Sequence, residues 1–363
     1  MRSGSAILPD EYRLADDAEL SRRIILRKKQ LGERLLILTH HYQRVETVEH
    51  GDYVGDSYGL SRKAARSRTA EYIVFCGVRF MAEAAEILCR PDQKIYLPNP
   101  EAKCPMAAMA PSDLIYDVWD TLESKLGEGR VVPISYMNTT ADLKAFTGRK
   151  GGLICTSSNA AEAFQWAFER YEKLFFFPDQ HLGRNTVKRL GIPRDDIVLF
   201  DRQRLWENID LGRLERARVI LWSGHCYVHS RFRPEHIENW RKSSPGVIII
   251  VHPECIEEVV DNADAVGSTS FIVEYVEKSP SGSTIAIGTE LNLVHRLALR
   301  HKDKRIFELS DDSSPVCANM FRTSLADVCY SLENPDSANR VVVPPEIRTD
   351  AKLALERMLE VGG

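Results

Sequence analysis

LICTSSNAAEAFQWAF, residues 153–168, decides how the chain is read. It opens as a short apolar strand, passes through a turn of small polar residues, Thr156-Ser157-Ser158-Asn159, and continues as a helix predicted over about 159–170. A buried strand feeding a helix through such a turn is the building unit of a parallel sheet covered by helices.

The same order recurs on either side, in IVFCGVRFMAEAAEIL (73–88) and DAVGSTSFIVEYVEKS (264–279). Each of the three is preceded by a strand with a polar end: LTHHYQ (38–43), ISYMNTT (134–140) and IVHPEC (250–255). Each is followed by another strand: KIYLPNP, KLFFFPDQ and TIAIGTE. Strands are predicted over 35–39, 72–76, 94–97, 131–136, 153–156, 173–177, 197–200, 218–222, 247–251, 264–266, 284–288 and 305–309. Further helices are predicted over about 57–66, 80–88, 184–190, 256–261, 271–278 and 290–301. The fold class is α/β, in three related units. Identity between the units is low, and the generic rhythm of an α/β protein accounts for the same pattern. Near the end, prolines open a last helix from Pro345 to Glu360. It sets Ile347, Ala351, Leu355 and Met358 on one face, so it reads as a docked amphipathic helix.

Net charge is −4, so no global basic field draws in nucleic acid or a membrane surface. The longest clean apolar run, Val247–Val251, is far short of the roughly 20 residues of a spanning helix. MRSGSAILPDEYRLADDAEL carries acids where a signal peptide has its apolar stretch. A cytoplasmic location is expected, with no nucleic-acid or membrane partner.

Ligands of open parallel sheets bind outside the carboxyl ends of the strands. Those ends here carry His40, His41, Tyr42, Tyr136, Asn138, Ser157, His252, Glu254, Ser268 and Thr269. Any one of these is an ordinary boundary residue. Together they put reactive side chains at one topological place in all three units, which would make one pocket lined from three sides. Thr156–Asn159 and Gly267–Thr269 also lead into helix starts, where free N–H groups and hydroxyls favour a phosphate or carboxylate. Plain helix capping uses the same residues. Neither GxGxxG nor GxxxxGK[ST] occurs, so no dinucleotide fingerprint or P-loop is supported.

None of the eight cysteines pairs with another at CxxC spacing. Cys104 in EAKCPMA, Cys226 in LWSGHCYVH and Cys317 in SSPVCANM each follow the last strand of a unit. Three thiolates aimed at one axis are one ligand short of the usual set for an iron–sulfur cluster. The open iron would then be a Lewis acid. A zinc or iron ion held by three cysteines, in a metal-dependent hydro-lyase, fits the same thiols. Cys76, Cys89, Cys155 and Cys329 read as buried bystanders, and Cys255, beside His252 and Glu254, is the rival ligand.

Further matching segments are THHYQ with GDSYGLSRKA, NPEAKCPMA, SYMNTTADLKA, CTSSNA, PDQHLGRN, WSGHCYVH, HPEC, ADAVGSTS, IGTE and CANM. In this order the chain resembles the quinolinate synthase family. The resemblance implies three similar three-layer α/β domains around a pseudo-threefold axis with a central active site. Their boundaries would be 27–115, 116–235 and 236–330, with a docked C-terminal helix in 331–363. It implies a transferase of NAD biosynthesis that condenses iminoaspartate with dihydroxyacetone phosphate to quinolinate, phosphate and water. One [4Fe–4S] cluster would sit on Cys104, Cys226 and Cys317. His40, Tyr42, Tyr136, His252 and Glu254 match catalytic positions. Ser57, Met137, Asn138, Ser157, His229, Pro253, Ser268 and Thr269 match substrate-binding ones, shared with His40, Tyr136, His252 and Glu254; His229 would lie on the third-domain side. An L-aspartate oxidase or dehydrogenase is the implied functional partner. At His41 the chain departs from a family pattern of Asn or Tyr, which leaves that residue's role open.

Overall fold

The structure, a computed structural model, describes residues 8–202, 210–310, 315–335 and 339–362. Residues 1–7, read above against a signal peptide, and Ser313 and Ser314 of SSPVCANM lie outside the described residues. Every predicted strand forms, with ends within one residue of those predicted. The strands assemble into three separate sheets.

The first sheet contains Leu35–His40, Tyr53–Gly55, Tyr72–Cys76 and Lys94–Tyr96. Numbered along the chain, these four lie side by side as second, first, third, fourth, all parallel. Ile248–Val251, Ala265–Val266, Thr284–Gly288 and Arg305–Glu308 form another sheet in the same order. In the remaining sheet Val131–Tyr136, Leu153–Cys155 and Lys173–Phe177 again take the first three roles. Val219–Trp222 holds the fourth place and Ile197–Phe200 the edge. Generic α/β rhythm does not require three sheets to share one strand order, so the repeat is real at the level of topology.

Its register in the first unit differs from the sequence reading. Strand order pairs Tyr53–Gly55 and the helix Ser57–Arg66, not residues 73–88, with 153–168 and 264–279. Tyr53–Gly55 escaped notice because it is three residues long, exposed at Tyr53 and ends in glycine. Arg340–Val341 also went unread; it adds an antiparallel edge to the first sheet. Among the helices, Asp17–Leu31 buries only Leu20 and Ile24 and so shows little periodicity. Ala141–Arg149 is buried on nearly every side and shows no polar stripe. Gln180–Arg189 starts ahead of its predicted first residue because Asp179 Oδ1 accepts the His181 and Leu182 N–H groups, both at 2.8 Å.

The C-terminal helix, Pro345–Val361, buries Ala351, Leu355 and Met358 as expected and Ala354 besides, with Ile347 at the margin of the same core. It lies against Ala141–Arg149, and Arg357 Nη1 donates to Gly152 O at 2.7 Å. Gly148 permits this approach: a Cβ there would stand 1.9 Å from Asp350 O. Backbone cannot yield as a side-chain tip can, so Gly148→Ala is expected to cost about 1–3 kcal/mol through overpacking. Thermal unfolding reads this as a lowered Tm. An unchanged Tm would mean the helix docks some other way.

Candidate active site

The carboxyl ends of the three sheets surround one cleft. Each first-position strand delivers the same pattern into it. Leu35–His40 ends on His40, with Tyr42 two residues on. Val131–Tyr136 ends on Tyr136, with Asn138 two residues on. Ile248–Val251 is followed by His252 and then, two residues on, Glu254. All six line the cleft. Where a histidine leads, its ring folds back over the turn: His40 Nδ1 accepts the Tyr42 N–H at 3.1 Å, and His252 Nδ1 accepts the Glu254 N–H at 3.3 Å. Burial is the main cause that brings His40 down to about 4 and His252 to about 3, so both rings are neutral at physiological pH. With Nδ1 accepting, each carries its proton on Nε2.

Glu254 is the hub of the polar groups. The Tyr136 hydroxyl donates to Oε1, and His229 Nδ1 lies 2.7 Å from Oε2. On its other side His229 Nε2 is 3.1 Å from Thr289 Oγ1 and 3.3 Å from the Tyr42 hydroxyl, and these two oxygens are 2.8 Å apart. Burial opposes a charge on Glu254. The imidazoles of His229 and His252, with the hydrogen bonds from His229 and Tyr136, outweigh burial and hold the carboxyl down at about 2. Facing a carboxylate, His229 donates from Nδ1 and accepts at Nε2. A continuous path therefore runs from Tyr42 through His229 to Glu254. Burial, reinforced by the charge of Glu254, pushes both phenols up, so Tyr42 and Tyr136 keep their protons.

Three hydroxyls at equivalent helix starts complete the polar lining. Ser57 and Thr269 are the first residues of Ser57–Arg66 and Thr269–Lys278, and Ser157 precedes Ala160–Phe168. In two units capping falls to their neighbours: Asp56 Oδ1 accepts the Gly59 N–H at 2.8 Å and Ser268 Oγ accepts the Phe271 N–H at 3.3 Å. In the second unit Asn159 Oδ1 instead accepts the Thr156 N–H at 2.8 Å, closing the turn ahead of a helix without a side-chain cap. The hydroxyls of Ser57, Ser157 and Thr269 have no hydrogen-bond partner among the described residues and stand beside N–H-rich helix ends, a setting for an anion.

Cys104, Cys226 and Cys317 line the same cleft. Each leaves a fourth-position strand and leads into one helical turn: Pro105–Ala108, His229–Arg231 and Met320–Arg322. Backbone N–H groups of that turn approach each sulfur, from Ala107 and Met106, from His229, and from Met320 and Asn319. Hydrogen bonds of this kind favour a thiolate and tune a bound cluster. Burial still pushes all three up, Cys104 to about 12, reinforced by Cys317 and Glu254 at Cys104, by Glu254 and the other two thiols at Cys226, and by Glu290 at Cys317. Soft donors that repel one another as anions, each with prepared N–H groups, suit a soft metal centre between them. Cys76, Cys89, Cys155 and Cys329 lie in the apolar cores. Cys255 is fully buried with Sγ 3.7 Å from Gly288 O, outside the lining of the cleft.

Some expected residues stand elsewhere. Met137 is fully buried beneath its loop, while Pro253 and Ser268 line a neighbouring cavity that meets the cleft at Ser157. His229 rises from the loop that leaves the second sheet after Val219–Trp222, yet its ring lies on the third-domain side as expected, with Nδ1 2.7 Å from Glu254 Oε2, Nε2 3.1 Å from Thr289 Oγ1 and the imidazole stacked on His252. His41 does not line the cleft. Its Nδ1 and its carbonyl accept from Arg296 Nη2 at 3.1 and 3.0 Å, tying the first strand's end to the helix Leu291–Arg300.

Other contributors were missed. Thr289 sits in IGTE and Asn185 in PDQHLGRN, both quoted segments whose polar members gave no sign of their partners. Asn185 Nδ2 donates to Pro253 O and Cys255 O at 2.9 and 2.8 Å, gripping the loop on both sides of Glu254. Asp56 joins two units: its Oδ2 accepts from Ser158 Oγ at 2.7 Å while Oδ1 caps its own helix.

Comparison with known proteins agrees with this arrangement. The family model described as quinolinate synthetase A protein matches residues 22–360. A curated quinolinate synthase of Acidobacterium capsulatum is 46% identical over 360 residues, covering 98% of this chain and 96% of its own length. Those of Corynebacterium glutamicum and Streptomyces coelicolor are 46% and 48% identical, covering 98% and 97% of this chain and 91% and 90% of themselves. Matched along almost its entire length by both the family model and these relatives, the chain belongs to the quinolinate synthetase A protein family.

Proposed function

We propose that the chain is a quinolinate synthase, condensing iminoaspartate with dihydroxyacetone phosphate to quinolinate, phosphate and water. The observation that carries this reading is the single cleft into which three sheets deliver three thiols, three unpartnered hydroxyls and the Tyr42–His229–Glu254 path. Cys104, Cys226 and Cys317 would hold a [4Fe–4S] cluster, whose open iron supplies Lewis-acid chemistry toward a substrate oxygen. Ser57, Ser157 and Thr269 bind the carboxylates and phosphate of the substrates. Asn138 orients them beside Cys104. His229 takes and returns a proton between the substrate side of Tyr42 and Glu254, and Glu254 stabilises the imidazolium so formed. Tyr136 holds the other oxygen of Glu254, while His40 and His252 present Nε2–H donors. The three sheets correspond to domains over 27–115, 116–235 and 236–330 about a pseudo-threefold axis, with the last helix docked from 331–363. Among the described residues no helix is long and apolar enough to cross a membrane. We place the enzyme in the cytoplasm, where an L-aspartate oxidase or dehydrogenase would supply its iminoaspartate.

The test is an anaerobic assay for quinolinate from the two substrates with reconstituted protein. Quinolinate formation by brown protein carrying about four irons is expected. One observation favours a different centre: donor atoms of Cys226, His229 and Glu254 all lie within 4.8 Å of one another, as a mononuclear metal site requires. Colourless protein that carries stoichiometric zinc and forms no quinolinate would favour the metal-dependent hydro-lyase instead.

Thr269→Val removes a lining hydroxyl and keeps the shape. Loss of a hydrogen bond to a charged group costs about 1.5–3 kcal/mol, so KM rises roughly 10- to 150-fold. Iron content should be unchanged. Iron falling in step with activity would show the turn to be structural.

A further inference from the structure

Lys144 is fully buried, yet the chemistry above does not use it. Its Nζ donates to Met137 O at 2.9 Å and to Thr139 O. No carboxylate lies within ion-pair distance of it among the described residues, and the face of Phe80 is 5.5 Å from Nζ to the ring centroid. An ammonium in a dry interior without a paired counter-ion is costly. Burial brings this one down to about 8, with Glu83, Asp142 and Cys104 favouring the charge from farther off, which leaves it charged at neutral pH.

Two features indicate what the charge is for. Both carbonyls that Lys144 holds flank Asn138, and the Asn138 side chain lies in the cleft with Nδ2 3.9 Å from Cys104 Sγ. Asn185 grips the corresponding loop around Glu254 in the same way, on the carbonyls before and after it, with a neutral amide. Holding the loop therefore does not require a charge. The cleft itself is short of positive charge: Asp56, Glu254 and three thiols line it. Its lone permanent cation among the described residues is Lys103, 60% exposed and turned to Glu101.

We propose that Lys144 is a positioning and charge-balancing residue, which presents Asn138 to the cleft from behind its loop and offsets the negative charge of the thiolates and anionic substrates beyond it. The charge-balancing half rests on the cluster and substrate reading above; the positioning half does not.

Lys144→Gln keeps N–H donors and removes the charge; Lys144→Met removes both. In reconstituted enzyme both variants should show a KM for iminoaspartate raised on the order of tenfold, with kcat changed far less. Their cluster reduction potentials should shift negative, because a nearby cation favours the added electron. Lys144→Gln should not melt below the parent, since a dry charge has been removed and its donors kept. In the cluster-free chain, Lys144→Met should speed amide exchange at Asn138–Thr140 on the order of tenfold, with Val131–Tyr136 unaffected. That measurement needs neither cluster nor substrate, so it stands even if no quinolinate is formed. Unchanged exchange in the Met variant overturns the positioning role. Unchanged KM and potential in both variants overturn the charge role. A lower Tm, with kcat and KM moving in proportion, reduces Lys144 to a structural residue and overturns both.

Discussion

Cys104→Ser, Cys226→Ser and Cys317→Ser should each yield colourless protein that has lost most of its iron, its sulfide and its activity together. The three thiols come from three sheets into one cleft, each ahead of its own N–H-donating turn. Replacing one puts a hard, poorly ionised oxygen where a soft anion is wanted, and two thiolates do not hold a cubane against solvent. Cys255→Ser should keep the cluster and most of its rate, because its sulfur faces Gly288 O inside the core of the third sheet. Cys76→Ser should keep its spectrum and lose stability, since it buries a hydroxyl among Ile37, Val74 and Tyr96. Iron and sulfide analysis of the five proteins, reconstituted anaerobically, decides the matter. A Cys226 variant that keeps its cluster beside a Cys255 variant that loses it would overturn the ligand assignment.

Glu254→Gln should leave a folded, cluster-bearing protein with kcat lowered roughly 10²–10⁴-fold, the usual contribution of a positioned acid–base group. The amide is nearly isosteric and keeps both neighbours: its nitrogen can donate to the Tyr136 hydroxyl while its oxygen accepts from His229. What is lost is the charge, so His229 no longer has the anion that stabilises its charged form. Single-turnover kinetics with iron analysis separate this from cluster loss. Turnover at the parental rate would remove Glu254 from the mechanism.

The sequence made the strands legible because parallel strands are buried on both faces and read as unbroken apolar runs. Leu35–His40 and Val131–Tyr136 are buried throughout. The polar residues that end these runs were legible for the same reason. Tyr53–Gly55 had no such run, and the omission put the first unit out of phase with the others. Ser57 was found by resemblance and not recognised as the counterpart of Ser157 and Thr269. Which sheet a loop residue leans over is a three-dimensional matter: His229 leaves the second sheet and leans on His252, Glu254 and Thr289 of the third, which only the resemblance indicated. Asp56 reads as a helix cap and is one; the bond from Ser158 to its second oxygen cannot be read from local pattern. Lys144 drew no reading at all, since nothing in ADLKA signals a helix buried on nearly every side.

The antiparallel strand Arg340–Val341 pairs with Ile95 and Tyr96, and the helix Leu325–Glu333 packs against Asp17–Leu31. The first sheet is therefore completed by chain made long after the rest of it. At about 5–20 residues per second, the edge at Lys94–Tyr96 waits on the ribosome for roughly 10–50 s before its partner strand exists. An open strand edge of that lifetime invites pairing with other nascent chains, a hazard that grows with crowding of polysomes. The same timing orders maturation. Cys104 emerges early, Cys226 midway and Cys317 late, so no three-thiol nest exists during most of synthesis. Whatever those thiols hold in common must wait until Cys317 has emerged and the third sheet has folded.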